Sequence, residues 1–300
     1  MEIKQSANRV DIEGILVSTD LKKGSFQRDG QTKETIGGSI IVRVDQEING
    51  KKITSDIPVH MFSTKYTKTG NINPSYESIE TIMNDFVSIA AAGNVEGADK
   101  VTLTGDIRMN EYVGRDGKTV SFPRIHASFA ARVKGEYAPK ANFDVTFAVL
   151  KKEEERDKEG NETGRYMVKG AVIQYGGKAD VVPFFVVNSN AINFISTYWD
   201  EGTTVRATGK LNFTSRKETV VTEVDFGEPQ KRERTISISD LIITGGSNPI
   251  DPDSEDAYKE EEIKEALAVR LAAIEKMKNK PAKANVAPPK TSFGIDSLGF

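Results

Sequence analysis

The chain has 300 residues and a formal net charge of −3, with 37% hydrophobic and 28% charged residues. This length and composition predict about two soluble globular domains, and no apolar run is long enough to span a bilayer. The absence of cysteine excludes disulfides, thiolate metal sites and cysteine nucleophiles. The net charge gives no bulk attraction to nucleic acid, so such binding would need local basic patches. The first residues lack the apolar core of a signal peptide, and we expect a cytoplasmic protein.

Five strands and one helix are predicted in the first half of the chain. Period-two alternation and turn residues predict strands at residues 9–18, 38–45, 53–62, 100–109 and 119–133. The polar residues 20–35 predict a mobile hairpin loop, and the Asn49-Gly50 dipeptide is a strong hairpin signal. Apolar residues spaced three or four apart from Ile79 to Ile89, ending at Gly93, predict an amphipathic helix.

The same order of elements repeats after a short Gly- and Pro-containing linker at residues 134–141. Strands are predicted at residues 143–149, 165–175, 179–187 and 204–213, followed by a closing hairpin at 219–243. A charged loop is predicted at 151–163 and a helix at 191–199. A further helix is expected near 254–279, and the Ala/Pro/Lys-rich residues 281–289 are expected to be disordered.

A short strand signature, Val-x-x-Thr-Gly, occurs at residues 101–105 and again at 205–209. Alternation predicts one core-facing side in each copy. The core-facing residues are Val101, Leu103, Ile107 and Met109, and Val205, Ala207, Leu211 and Phe213. Gly105 and Gly209 lie mid-strand, where glycine typically marks a bulge, a bend or a close backbone approach. The repeat predicts two similar small barrels that superimpose Gly105 on Gly209.

A five-strand module with its helix between strands three and four resembles the OB-fold barrel. Two such modules, followed by a linker and a tip that ends Asp296-Ser-Leu-Gly-Phe300, resemble single-stranded DNA-binding proteins of phages and mobile elements. The tip departs from that pattern, since the tips of bacterial single-strand binders are strongly acidic and this one has a single aspartate.

The fold class that this resemblance implies is mainly β: two tandem OB-fold-like five-stranded barrels, each with one helix, plus a C-terminal helix and a disordered tail. The implied limits are a first barrel at 8–136, a second barrel at 141–250, a C-terminal helix at 251–280 and a tail at 281–300. The implied function is non-sequence-specific binding and protection of single-stranded DNA in replication or recombination, in the host cytoplasm if the chain is phage-encoded.

Little in the sequence supports catalysis. The two histidines, His60 and His126, lie on different predicted strands far apart in the chain. A phosphate-binding loop, a His-Glu-x-x-His motif and a calcium-binding loop are absent from the sequence. The acidic residues 251–256 fit the start of a helix. We therefore expect a protein that is not an enzyme and needs no cofactor or metal.

Basic and aromatic residues interleave around the hairpins of both modules. Cations can neutralise phosphates, and flat rings can stack on bases without reading the sequence. The candidate nucleic-acid-binding residues are Arg108, Tyr112, Arg115, Lys118, Phe122, Arg124, Tyr166, Lys169, Tyr175, Lys178, Arg206, Lys210, Arg216 and Lys217. For single rings there is a structural alternative: Tyr166 would cap a core, and Phe213 continues the core face.

The apolar tip is predicted to dock a partner, such as a replication or recombination protein, through Phe293, Ile295, Leu298 and Phe300. It could instead fold back onto the protein's own barrels, or be an end without a role. Two other functions remain open for the whole chain: a virion or other structural β-protein, and an adaptor whose barrels bind protein partners.

Overall fold

The computed structural model describes residues 3–114, 116–157, 159–222 and 230–279; side chains of residues 216–236 are not included in the description. The strands are β1 (Asn8–Arg28), β2 (Gln31–Ile48), β3 (Lys51–Thr64), β4 (Lys100–Val113), β5 (Thr119–Arg132), β6 (Lys140–Arg156), β7 (Glu162–Ile173), β8 (Ala179–Val186), β9 (Thr204–Thr222) and β10 (Gln230–Gly246). The helices are α1 (Pro74–Asp85), α2 (Ile89–Ala92), α3 (Ser189–Tyr198) and α4 (Glu260–Lys278). Among these helices, none is both long and apolar enough to cross a membrane.

The strands close into two rings. The first ring pairs its strands in the order β1-β2-β3-β5-β4 and returns to β1; the second runs β6-β7-β8-β10-β9 and returns to β6. In each ring the contact between the third and fifth strands is parallel and the other contacts are antiparallel. Helices lie between strands three and four of both rings. The predicted fold class, mainly β with five-stranded barrels and a C-terminal helix, is confirmed.

The repeated signature occupies the same place in both rings. Opposite each Thr-Gly pair the neighbouring strand bulges by one residue, Ser128 in β5 and Thr244 in β10. A side-chain carbon at Gly105 would lie 2.2 Å from a carbonyl oxygen of β5, and one at Gly209 would lie 2.1 Å from a carbonyl oxygen of β10. No real side chain tolerates such a distance, so glycine is required where the bulged strand approaches.

The two rings are joined by backbone and side-chain contacts. Strands β1 and β6 pair antiparallel over six residues, from Asn8 opposite Val145 to Glu13 opposite Lys140. The buried Gln46 amide, near the β2–β3 turn, donates from Nε2 to the Leu211 carbonyl at 2.7 Å. Because these contacts join the first ring to strands of the second, the sheet is continuous from one ring to the other.

Two predicted loops are strands instead. The ladder between β1 and β2 continues to Arg28 opposite Gln31, and the β6–β7 ladder reaches Arg156 opposite Glu162. The prediction of loops at 20–35 and 151–163 is therefore wrong. Both faces of these ribbons are largely in solvent, so their sequences show no apolar alternation. An Asp29-Gly30 turn with positive φ angles of 51° and 72° closes the first ribbon.

The predicted helix that ends at Gly93 is two helices. Helix α1 ends at Asp85, and Ser88 caps α2 by accepting a hydrogen bond from the Ala91 amide. Gly93 ends α2 with a φ of 77°, which confirms the predicted helix end at this glycine. The serine cap accounts for the break, because its side chain replaces the helical hydrogen bond to the first turn.

Helix α4 lies against the outside of the second ring. Its residues Ile263 and Ala266 are buried in a small cluster with Ala171, Ile173 and Ala179 of β7 and β8. Tyr258, just before the helix, shares a hydrogen bond of 2.8 Å with the hydroxyl of Ser6 near the N-terminus. The segment around Ser6 and the segment that leads into α4 thus lie on the same side of the second ring.

Candidate nucleic-acid interface

One outer face of the first ring is free of covering elements among the described residues. Alternation buries residues such as Val59 and Ile125 in the core and turns the residues between them outward. We name the outward residues of β3, β4 and β5 the open face: His60, Phe62, Arg108, Tyr112, Phe122, Arg124 and His126. Three of these rings are substantially exposed: 53% for Phe62, 46% for Tyr112 and 36% for Phe122.

The two histidines meet on the open face. The parallel contact of β3 with β5 sets His60 opposite His126, and their rings lie edge to face with centroids 4.9 Å apart. Burial lowers the pKa of both, with help from nearby arginines, and brings the pKa of His126 to about 3. At neutral pH the pair therefore offers flat uncharged rings. Within the described part of the chain, the pair belongs to no metal-binding cluster of three or more His, Cys, Asp or Glu.

Arg124 is a half-buried cation that lacks an ion-pair partner among the described residues. Its guanidinium carbon lies 6.0 Å from the centre of the Phe122 ring, and burial lowers its pKa. Arg108, opposite it in the β4–β5 ladder, is different: its Nε and Nη2 donate to the two carboxylate oxygens of Asp106, at 2.7 and 2.8 Å. A guanidinium stays protonated even when partly buried, so Arg124 has unused donors that suit a phosphate or carboxylate.

The aromatic rings extend the open face on both sides of Arg124. Tyr112 and Phe122 lie edge to face near the end of the β4–β5 hairpin, with centroids 6.3 Å apart. On the opposite side Phe62 lies over the backbone of β2, where a side-chain carbon at Gly37 would come within 3.0 Å of its ring. Lys118 is exposed in the hairpin turn, and Arg115 lies outside the described residues. The hairpin thus brings together Arg108, Tyr112, Lys118, Phe122 and Arg124.

Sequence reasoning missed Phe62 and the two histidines as members of this surface. The sequence does not show that the two histidines are neighbours, because β3 and β5 are far apart in the chain and meet only when the ring closes. Phe62 could have been found from the sequence, because it lies two residues after His60 on the same strand and therefore points to the same outer side.

The predicted residues of β7 and of the β7–β8 turn lie apart from the open face. Tyr166 packs against the main core, as its structural alternative required, and burial raises its pKa. The Lys169 ammonium lies 3.2 Å from a carboxylate oxygen of Glu153. Tyr175 is 88% exposed in the β7–β8 turn and lies beside α4. These residues do not come together with those of the open face.

Lys178 belongs to a charge cluster between the rings. Its ammonium lies 3.2 Å from Glu111 of β4 and 3.1 Å from Asp180, and both carboxylates are almost fully buried. Arg270 of α4 binds the other oxygen of Glu111 through Nε and Nη2, at 2.8 and 2.6 Å. Asp180 Oδ2 also accepts a hydrogen bond of 2.9 Å from the backbone amide of Met109. The cluster ties α4 and the β7–β8 turn to the first ring.

The candidate residues of β9 form a separate group. Arg206 pairs through Nε with Asp144 at 2.7 Å, and Lys210 donates to the Glu47 carbonyl of the first ring at 2.9 Å. Arg216 and Lys217 lie in β9, where the backbone alone is described. The predicted docking tip Phe293, Ile295, Leu298 and Phe300 lies outside the described residues and stays a prediction.

We name the outer side of β7 and β8 the covered face, because α4 lies across Ala171, Ile173 and Ala179. The part that α4 leaves open is a groove lined by Glu153, Glu154, Glu155 and Arg156 together with Tyr166, Met167 and Phe185. Three carboxylates against one guanidinium give the groove a negative balance, which disfavours a polyanion. The surface that α4 covers on β7 and β8 therefore differs from the open face of the first ring.

No curated protein matches the sequence. Among solved structures, a deletion mutant of the single-stranded DNA-binding protein from Thermus aquaticus is similar, with a TM-score of 0.50 and 10% identity over 84% of this chain and 98% of that one. The wild-type protein from the same organism has a TM-score of 0.49 at 10% identity, over 84% of this chain and 97% of that one. At such identity the first likeness is evidence for the fold alone. A family model described as YorF matches residues 6–280, and the chain belongs to the YorF family.

Proposed function

We propose that the protein binds single-stranded DNA without sequence specificity, and that it does so on the open face of the first ring. The observation that carries the proposal is Arg124, a half-buried cation without an ion-pair partner in the described chain, next to the exposed ring of Phe122. A half-buried cation without a counter-ion has lost part of its hydration and has not replaced it. A phosphate oxygen would restore that interaction.

The surrounding rings favour a single strand as the source of the phosphate. Phe62, Tyr112 and Phe122 expose flat surfaces on which unpaired bases can stack, and such stacking tolerates any base. In a duplex the bases are already stacked and paired, so the rings would gain only backbone contacts. A carboxylate partner could satisfy Arg124, but it would leave the rings unused.

The fold supports this location. OB-folds bind oligonucleotides on the face that includes their second and third strands and the adjacent loops, which here correspond to β2, β3 and the β4–β5 turn. The structure with TM-score 0.50 is also that of a protein named for single-stranded DNA binding. A role in replication or recombination, and a phage or mobile-element origin, stay predictions of the resemblance.

Fluorescence polarisation of labelled oligothymidine tests the proposal. Each contacted phosphate releases about 0.7 counter-ions from a single strand, so two to four contacts on one face give a log–log salt slope of about −1.5 to −3. We expect tighter binding to the single strand than to a duplex of equal length. Equal affinity for both would contradict base stacking. A structural β-protein or a protein adaptor predicts no binding to either.

A further inference from the structure

The open face contains both histidines of the chain. His60 and His126 come from the two strands whose parallel contact closes the first ring, and each side chain is half-buried yet directed outward. Their edge-to-face contact at 4.9 Å makes them one titrating unit, because a charge on one ring repels a charge on the other.

Cations surround the pair from β4 and β5. Arg124 lies two residues before His126, and Arg108 lies opposite Arg124. Asp106 is the carboxylate opposite His126, but both of its oxygens are bound by Arg108. From this side the histidines therefore face net positive charge, which favours their neutral form.

The side formed by β2 and β3 adds little charge. Uncharged Ser39 is opposite His60, and the nearby Gly38 backbone acts to raise the pKa of His60. Arg43 and Asp56, the nearest charged groups along these two strands, bind each other through two contacts of 2.8 Å. The balance around the pair is therefore set by Arg108 and Arg124.

We propose that the His60–His126 pair takes up one proton when single-stranded DNA binds to the open face. The inference rests on the proposed function and adds control by pH to the same site. A phosphate bound to Arg124 would offset the positive charge that now opposes an imidazolium, and it could itself accept a hydrogen bond from the charged ring. The mutual repulsion of the two rings limits the uptake to one proton.

The linkage between proton uptake and DNA binding sets the size of the pH effect on affinity. Uptake of one proton raises affinity by up to about tenfold for each unit fall in pH, within the range between the free and the bound pKa. A nearby opposite charge raises a pKa by about 1–3 units. We therefore expect affinity for oligothymidine to rise about three- to tenfold as the pH falls from about 7.5 to about 5.5.

A pH series of polarisation titrations at constant ionic strength measures this rise, and thymine does not itself titrate in that range. The matched variant is His60→Phe/His126→Phe, which keeps two flat rings and removes every imidazole from the chain. We expect this variant to show no rise in affinity between a pH of about 7.5 and about 5.5, whatever its affinity at about pH 8, because it has no imidazole to protonate. A His60→Gln/His126→Gln variant serves if the phenylalanines disturb the fold.

Histidine ring NMR signals, two in number for this chain, give the direct readout. We expect the pKa of one histidine to increase by about one unit or more in the complex. Intact binding with unchanged histidine pKa values, or a rise in affinity that persists in the double variant, would overturn the inference and leave the proposed function standing. Absence of binding at every pH would contradict the proposed function, and the inference with it.

Discussion

The two rings share their strand order, their parallel closing contact and the bulge beside the Thr-Gly pair, yet the open face of the first and the covered face of the second differ in character. The open face of the first ring exposes three aromatic rings and contains Arg124, which has no ion-pair partner among the described residues. The covered face of the second is closed by α4 and bordered by glutamates. The same barrel therefore supports two different surfaces, and the side chains on the outward positions make the difference.

The difference can be traced to related strand positions. Two residues before the proline of the third strand, the first ring pairs Asp56 with Arg43, and the second pairs Val181 with Ala171. A charged pair stays hydrated, whereas a pair of small apolar residues gains from being covered. Helix α4 supplies that cover in the second ring.

The largest expected effect concerns the cluster that fixes α4 to the first ring. Replacing Glu111 by Ala leaves Arg270 and Lys178 without their shared carboxylate, and we expect the free energy of unfolding to fall by about 3 kcal/mol. Denaturant unfolding measures it. Asp144→Ala is the control, because it breaks an exposed pair with Arg206 and should cost less than about 1 kcal/mol. Equal losses would mean that the buried cluster has no special role.

The next effect separates the aromatic residues of the two faces. Phe122→Ala or Tyr112→Ala should each weaken oligothymidine binding by about 1–3 kcal/mol, because each removes one stacking surface. Tyr175→Ala removes a more exposed ring beside the covered face and should leave affinity unchanged. Polarisation titrations measure all three. A loss at Tyr175 equal to that at Phe122 would extend the binding surface to the second ring.

A smaller effect concerns charge. Arg124→Ala should reduce the magnitude of the log–log salt slope by about 0.7, the value for one phosphate contact. Lys169→Ala is the matched change on the second ring, and it should leave the slope unchanged because Lys169 already pairs with Glu153. An unchanged slope in the Arg124 variant would remove this arginine from the interface.

The last effect is the pH dependence of stability, which is close to zero above pH 6.5 and grows as the pH falls. The folded state lowers the pKa of His126 from 6.5 to about 3, so the unfolded chain binds a proton first. The stabilisation is complete above pH 6.5 and is lost progressively as the pH falls toward 3. Unfolding at several pH values should show a shallower decline for His126→Phe than for the wild type. Identical declines would show that this histidine is not responsible.

Alternation accounts for what the sequence could predict of the fold. Val101, Leu103 and Ile107 are buried on one side of a strand. A strand with one buried side shows alternating apolar residues, and this pattern can be recognised in the sequence. The solvent-exposed ribbons have no such alternation, so the sequence predicts a loop at residues 20–35. The position of α4 was also beyond reach, because an apolar stripe does not specify the surface that it covers. The domain limits 8–136 and 141–250 stay predictions that limited proteolysis can test.

The same distinction holds for the candidate site. Arg108, Tyr112, Phe122 and Arg124 could be grouped from the sequence because they lie on one hairpin. Lys178 could not be separated from them, since its buried partner Glu111 is distant in the chain. Contacts between residues far apart in the chain decide whether a cation is free to bind a ligand. Patterns in a single sequence do not reveal such contacts.

Photocrosslinking tests the central claim most directly. Oligothymidine substituted with 5-iodouridine would be irradiated in complex with the whole chain, and the crosslinked peptides would be mapped by mass spectrometry. DNA on the open face predicts crosslinks at Phe62, Tyr112 and Phe122, and none at Tyr166 or Tyr175. Crosslinks at those two tyrosines, with none on the open face, would contradict the account.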